Sequence, residues 1–237
     1  MEAVIEGFRR IYVWERAVRT FHWLNVLSLL ALIGTGIIIA DPPAIMSSQD
    51  ATNSYWFGIT RFIHFAAAYI FIFAWAFRLI FAFLGNKYAN WRAFFPYTKK
   101  GFHNLLHVLK MDVLLGNPKV FDCTEVAVGH NALAGISYFF FFLMALVQIL
   151  TGMGLYADMS TWFFPKLFSW VVPMLGGDFA ARLVHHITMW AMIIFSIIHV
   201  YLVMYHDWLE GRSEISSMIS GYKFVRPQRV KENTENK

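Results

Sequence analysis

Four stretches of this chain, residues 19–40, 59–84, 131–156 and 182–206, are long, apolar and nearly free of charge. Each reaches the roughly 20 residues that a helix needs to cross the hydrocarbon core of a bilayer. A spanning backbone must satisfy its own hydrogen bonds, so runs of this length predict helices. The stretch 132–157 contains no charged residue at all. With 58% hydrophobic and only 15% charged residues, a water-soluble domain would expose far too much apolar surface. The expected fold is therefore an all-α integral membrane protein, a four-helix transmembrane bundle with short interfacial helices. It forms one domain over 1–237 with a tail over 207–237. Arg9, Arg10, Arg16 and Arg19 precede the first run, but no small-residue cleavage site follows, so no removable leader is expected.

Local punctuation agrees with these bounds. Asp41-Pro42-Pro43 removes backbone donors and stops the first run, and Leu84-Gly85-Asn86 stops the second. Residues 85–130 form a polar loop carrying Lys87, Arg92, Lys99, Lys100, Lys110 and Lys119. Within it, Phe102 to Leu115 alternates near helical period and predicts an interfacial helix. The segment 159–181 holds Trp162, Phe163, Phe164, Trp170 and two prolines; it is too broken to span and is expected at the membrane surface. The 41–58 loop has neither Lys nor Arg, and the loop between the third and fourth runs has only Lys166. The positive residues lie instead in the N-terminal segment, the 85–130 loop and the tail, where Arg212, Lys223, Arg226, Arg229, Lys231 and Lys237 sit. The positive-inside rule then puts both termini in the cytoplasm of a multi-pass protein.

Histidines inside such runs are costly and point to function. Four of them, His22, His64, His185 and His199, occupy the apolar segments. His185 and His199 are 14 residues apart on one run. At about 100° per residue that returns to within roughly 40° of the same direction, about 21 Å further along. With the topology above, His22 matches the depth of His199, and His64 that of His185. Two imidazoles at one depth can act as trans axial ligands of a haem iron, so the set predicts two haems held at two membrane levels. His186 competes with His185, but it lies about 140° off the face of His199. His185 is therefore the expected ligand. The plainer alternative is that these histidines only hydrogen-bond to neighbouring helices.

Arginines repeat at one spacing ahead of three of these histidines: Arg19-x-x-His22, Arg61-x-x-His64 and Arg182-x-x-His185. Three residues is about one turn, so each arginine lies near its histidine's face, where a guanidinium fork suits an anionic haem propionate. Arg78, 14 residues after His64, could neutralise a propionate of the inner haem. Snorkelling to lipid headgroups is the competing role for these side chains. Gly34-Thr35-Gly36 and Thr151-Gly152-Met153-Gly154 fall at the depth of His64 and His185, where a flat ring must approach the backbone. Small residues there also serve ordinary helix packing. The single cysteine, Cys123, and the absence of a C-x-x-C-H motif exclude covalent c-type haem attachment and an iron–sulfur cluster held by this chain alone, so the expected haems are bound non-covalently.

Several of these motifs resemble the b-type cytochrome subunit of membrane-bound nickel–iron uptake hydrogenases. They are Arg19-Thr-Phe-His22-Trp23-Leu24, Thr35-Gly36, Arg61-Phe-Ile-His64-Phe65, Gly129-His130-Asn131, Thr151-Gly152, His185-His186, His199-Val200-Tyr201 and the tail Met218-Ile219-Ser220-Gly221-Tyr222. The resemblance covers nearly the whole chain. It implies a bacterial inner-membrane subunit that anchors the large and small hydrogenase subunits on the periplasmic side. Such a subunit passes electrons from their iron–sulfur clusters through two haems to a membrane quinone. The implied iron ligands are His22, His64, His185 and His199, with the family leaving His185 and His186 ambiguous by one position.

Gly129-His130-Asn131 opens the third run on the cytoplasmic side. Asn131 could donate to a quinone carbonyl and His130 could relay protons, although Asn131 also suits a helix N-cap. His103, His107 and His206 are expected to be solvated or interfacial. Alternatives to the hydrogenase role are the cytochrome of a formate dehydrogenase, which shares the R-x-x-H-W start, a free-standing two-haem cytochrome, and a haem-free anchor or transporter. Inverted repeats and broken midplane helices, expected of a transporter, are not seen in the sequence.

Overall fold

A computed structural model describes residues 4–5, 8–44, 55–91, 132–210 and 214–225. The expected helix over 102–115, Cys123, His103, His107, His130 and Asn131 lie outside the described residues. Four long helices account for the apolar runs: α1 (Arg16–Ala40), α2 (Trp56–Leu84), α3 (Ala132–Ala157) and α6 (Asp178–Glu210). All four are long and apolar enough to cross a membrane. The last, 33 residues long, would measure about 50 Å and outruns a bilayer core of about 30 Å. Its excess carries the charges, Asp178 and Arg182 at one end and Asp207 and Glu210 at the other.

The helix ends follow the punctuation. α1 stops at Ala40, where the Asp41 N–H donates to Ile37 O at 3.0 Å before the proline pair. α2 stops at Leu84. The Asn86 side-chain oxygen then accepts from the N–H groups of Tyr88 and Ala89, both at 3.0 Å, and turns the chain. Between α3 and α6 the chain makes two short helices, α4 (Phe163–Lys166) and α5 (Val171–Met174). It enters α6 through Gly176 and Gly177, whose φ of 92° and 114° suit glycine alone.

The residues divide into two compact units, Thr20–Leu79 with Leu143–Ser196, and Met1–Arg19 with Ile80–Phe142 and Ile197–Lys237. In the first, small side chains such as Ala67, Ala74, Ala145 and Ala181 are buried together with Phe71, Thr151, Met153 and Met192. Small residues let helix backbones approach closely where lipid supplies no hydrophobic drive for helices to associate. Large apolar side chains instead face outward, including Leu27, Leu30, Phe62, Phe73, Ile187, Trp190 and Ile194. This inversion of a water-soluble core is what hydrocarbon solvent favours. Gly154 gives α5 its seat, since a Cβ there would stand 3.0 Å from that of Val171.

Beside its helices the second unit carries a small sheet. Strands β1 (Val4–Ile5), β2 (Phe8–Tyr12) and β3 (Tyr222–Val225) form an antiparallel sheet in the order β1-β2-β3, with Arg9 opposite Val225 and Tyr12 opposite Tyr222. A short helix, α7 (Glu214–Ser220), leads into β3. Gly221, at φ 88°, joins them, and its carbonyl accepts from the N–H groups of Val13 (2.9 Å) and Trp14 (3.1 Å). Lys223 is buried and pairs with Glu214 at 2.6 Å, its ammonium 5.4 Å from the centre of the Trp14 ring. Asn86 donates to Val13 O from its side chain and to a Glu15 carboxylate oxygen from its backbone, both at 3.0 Å. The two ends of the chain and the turn after α2 are thereby tied together on one side.

Candidate haem-ligating site

The Thr20–Leu79 and Leu143–Ser196 unit contains a construction that is made twice. Late in α1, the Thr35 hydroxyl lies 2.9 Å from Nδ1 of His64, early in α2. Late in α3, the Thr151 hydroxyl lies 2.8 Å from Nδ1 of His185, early in α6. The next residue is glycine in both cases. A Cβ on Gly36 would stand 3.4 Å from His64 Cε1, and one on Gly152 would stand 3.1 Å from His185 Cε1. One position along a helix is about 100° of rotation, so hydroxyl and glycine meet the same imidazole from two sides. The flat ring that approaches these glycines is thus an imidazole.

Further contacts tie the two histidines into one locality. Met189, one turn after His185, reaches Gly36 alongside His64, its sulfur 3.8 Å from the position a Cβ would take. Gln148, one turn before Thr151, donates its amide to the His185 backbone carbonyl at 3.0 Å. Its Oε1 is buried with no hydrogen-bond partner among the described residues. His185 is half-buried, whereas its neighbour His186 is exposed.

The remaining expected residues are placed as follows. His22 is half-buried beside Trp23, whose ring it meets edge-on at 5.3 Å. His199 is exposed on α6. These two fall in different units. Arg19 donates from Nη1 to Ile219 O, in the tail. Arg61 donates to the Met159 sulfur at 2.9 Å and lies over the Phe65 ring at 5.9 Å. Phe65 itself stacks on Tyr156 at 4.2 Å. Arg182 pairs with Asp178, one turn earlier, at 2.6 Å, both side chains being largely exposed. Arg78 is buried, with its guanidinium 5.3 Å from the centre of the Phe21 ring.

His64 and His185 fit an iron porphyrin better than a bare ion. A structural metal site draws on about four protein ligands. Among the described residues no three His, Cys, Asp or Glu side chains cluster. Two imidazoles from separate helices, each engaged at Nδ1 and each laid on a glycine, would leave Nε2 available to ligate. That is a two-ligand set, which suffices when a macrocycle supplies the other four. The sequence pattern by itself did not single out threonine hydroxyls as partners for Nδ1. The signal was present in the repeated Thr-Gly dipeptide.

Comparison with known proteins gives the same class. A probable Ni/Fe-hydrogenase B-type cytochrome subunit from Cupriavidus necator is 34% identical over 224 residues, covering 92% of this chain and 88% of its own. The equivalent protein of Rhodobacter capsulatus is 33% identical, covering 95% and 87%. A probable Ni/Fe-hydrogenase 1 B-type cytochrome subunit of Escherichia coli K12 is 31% identical, covering 90% of each. The sequence model of the prokaryotic cytochrome b561 family matches residues 13–221. With four helices long and apolar enough to span a membrane, this multi-pass membrane chain belongs to the prokaryotic cytochrome b561 family, whose members bind b-type haem.

Proposed function

We propose that this chain is the di-haem cytochrome subunit that anchors a periplasmic nickel–iron hydrogenase and passes its electrons to membrane quinone. The observation that carries the reading is the pair His64 and His185, held on separate spanning helices by matching Thr-Gly steps. The relatives' names point to a Ni/Fe hydrogenase as the partner, and we assign the docking to its small and large subunits. His22 and His199 are the ligands for the second haem. Lysine and arginine asymmetry supports an inner-membrane orientation with both termini cytoplasmic, which puts His64 and His185 on the periplasmic side.

When bound, haem supplies one-electron redox chemistry that no side chain of this protein possesses. The chain's own work is to hold and orient. Nδ1 of each outer histidine is fixed by a threonine, so the ring cannot rotate away from its ligating direction. Arg61 and Arg182, one turn before those histidines, are the candidates for propionate charge, and Arg19 and Arg78 are their counterparts on the inner side. His130 and Asn131 are the candidates for a quinone site, His130 as proton relay and Asn131 as donor to a quinone carbonyl. Proton uptake there would draw from the cytoplasm.

Affinity purification of the full-length protein from its native membranes tests the proposal. Large and small hydrogenase subunits should co-purify, and a pyridine haemochrome assay should give two haem b per chain. Co-purification with formate dehydrogenase subunits would replace the partner, and a colourless preparation would remove the function.

A further inference from the structure

We propose that Thr35 and Thr151 are positioning residues that fix His64 and His185 as the Nδ1–H tautomer and strengthen Nε2 as a ligand. This rests on the reading of the two histidines as haem ligands. The argument is one of proton accounting. Thr35 Oγ1 lies 2.6 Å from Ala31 O, and Thr151 Oγ1 lies 2.7 Å from Val147 O. A hydroxyl has one proton, and a carbonyl can only accept. The threonine proton is therefore committed to the backbone, and Oγ1 meets Nδ1 with a lone pair. Nδ1 must carry the hydrogen. Nε2 is left with its lone pair free for a metal.

Backward bonding by a hydroxyl is by itself ordinary in membrane helices. Ser28, Thr60 and Ser196 make the same bond to the carbonyl four residues earlier. Among the described residues, only at Thr35 and Thr151 does a histidine nitrogen complete the chain. The sequence Nδ1–H to hydroxyl to carbonyl is a relay in which each bond polarises the next. Electron density pushed onto the ring favours the oxidised iron, so the relay lowers the reduction potential. Glycine at the following position admits the ring at the required distance. Both relays act at one pair of rings, so their effects fall on one haem and leave the other as an internal reference.

The test uses full-length protein in lipid nanodiscs, with Thr35→Val, Thr151→Val, their double variant, and the matching Thr→Ser forms. Valine keeps the shape and removes the hydroxyl; serine restores it. We expect the valine variants to keep both haems while one of the two redox components shifts positive. The double variant should change that component's reduction equilibrium about tenfold, about 59 mV for one electron. Serine should return it, and the other component should not move. Loss of one haem in the valine forms with retention in the serine forms also supports the proposal. ¹⁵N-histidine spectra of protein made under haem limitation should show Nδ1–H in the wild type and a mixture in the valine forms. Unchanged potentials in haem-replete valine variants overturn the proposal alone. A wild type that binds no haem overturns it together with the ligand reading.

Discussion

The Thr151 hydroxyl stands 2.8 Å from Nδ1 of His185, and the α-carbon of the next residue, Gly152, forms the floor under the same ring. His64 meets Thr35 and Gly36 in the same way, with slightly more room. That small difference in room makes the two glycines unequal. Gly152→Ala puts a methyl 3.1 Å from His185 Cε1, tighter than nearly all real contacts, and Gly36→Ala puts one at 3.4 Å, where a small shift suffices. Haem content per chain should fall by about half in Gly152→Ala and stay near the wild-type value in Gly36→Ala. Equal loss in both would show that the glycines act through helix packing instead.

His185 and His186 separate by burial and bonding. His185 is held by Thr151 and, through its carbonyl, by Gln148, whereas His186 is exposed. On the di-haem proposal, His185→Ala should halve the haem content, and His186→Ala should leave the haem spectrum unchanged. Pyridine haemochrome quantitation of the two variants decides the assignment.

The ion pair between Lys223 and Glu214 is a stability element. Glu214→Gln leaves a buried ammonium without its carboxylate, at a cost of about 3 kcal/mol. Replacing both partners, Lys223→Met with Glu214→Leu, should recover most of that loss, since an apolar pair of similar size avoids the desolvation of two charges. Thermal unfolding in detergent, followed by trypsin cleavage of the terminal segments, measures both. A single variant as stable as the wild type would contradict the assignment.

Gly221→Ala should be comparably destabilising. Its φ of 88° is unfavourable for any residue with a Cβ, and that Cβ would fall 2.6 Å from the Tyr12 ring and 2.7 Å from Trp14 O. Strain and overlap together cost about 3 kcal/mol. Exposure of Trp14 to aqueous quenchers should rise, with the haem spectrum preserved.

The spans were legible because hydrocarbon imposes one rule on every residue at once. Length, absence of charge and the Pro42-Pro43 and Gly85-Asn86 breaks sufficed to bound α1 and α2 within a few residues. The sheet was not legible. Phe8–Tyr12 contains two arginines and reads as a basic flank, and its partner Tyr222–Val225 lies at the far end of the sequence, beyond any local pattern. The Thr-Gly steps were visible as a repeated dipeptide, but threonine in an apolar helix ordinarily bonds only to its own backbone. Which histidine each would meet depends on how two helices lie together, and periodicity along one helix does not encode that. The arginine spacing ahead of three histidines was equally plain, yet the ion pair of Arg182 with Asp178 is a neighbour effect set by rotamers.

The strand pairing between Phe8–Tyr12 and Tyr222–Val225 also orders events during biogenesis. The first strand leaves the ribosome long before its mate exists, so the clasp closes only after all four spans have been made. Until then the insertion machinery is free to seat the spans one by one, and the closing of the clasp becomes a checkpoint on a chain whose four spans have all been made. Tags fused close to β2 or β3 would therefore delay maturation even where they leave every span correctly inserted.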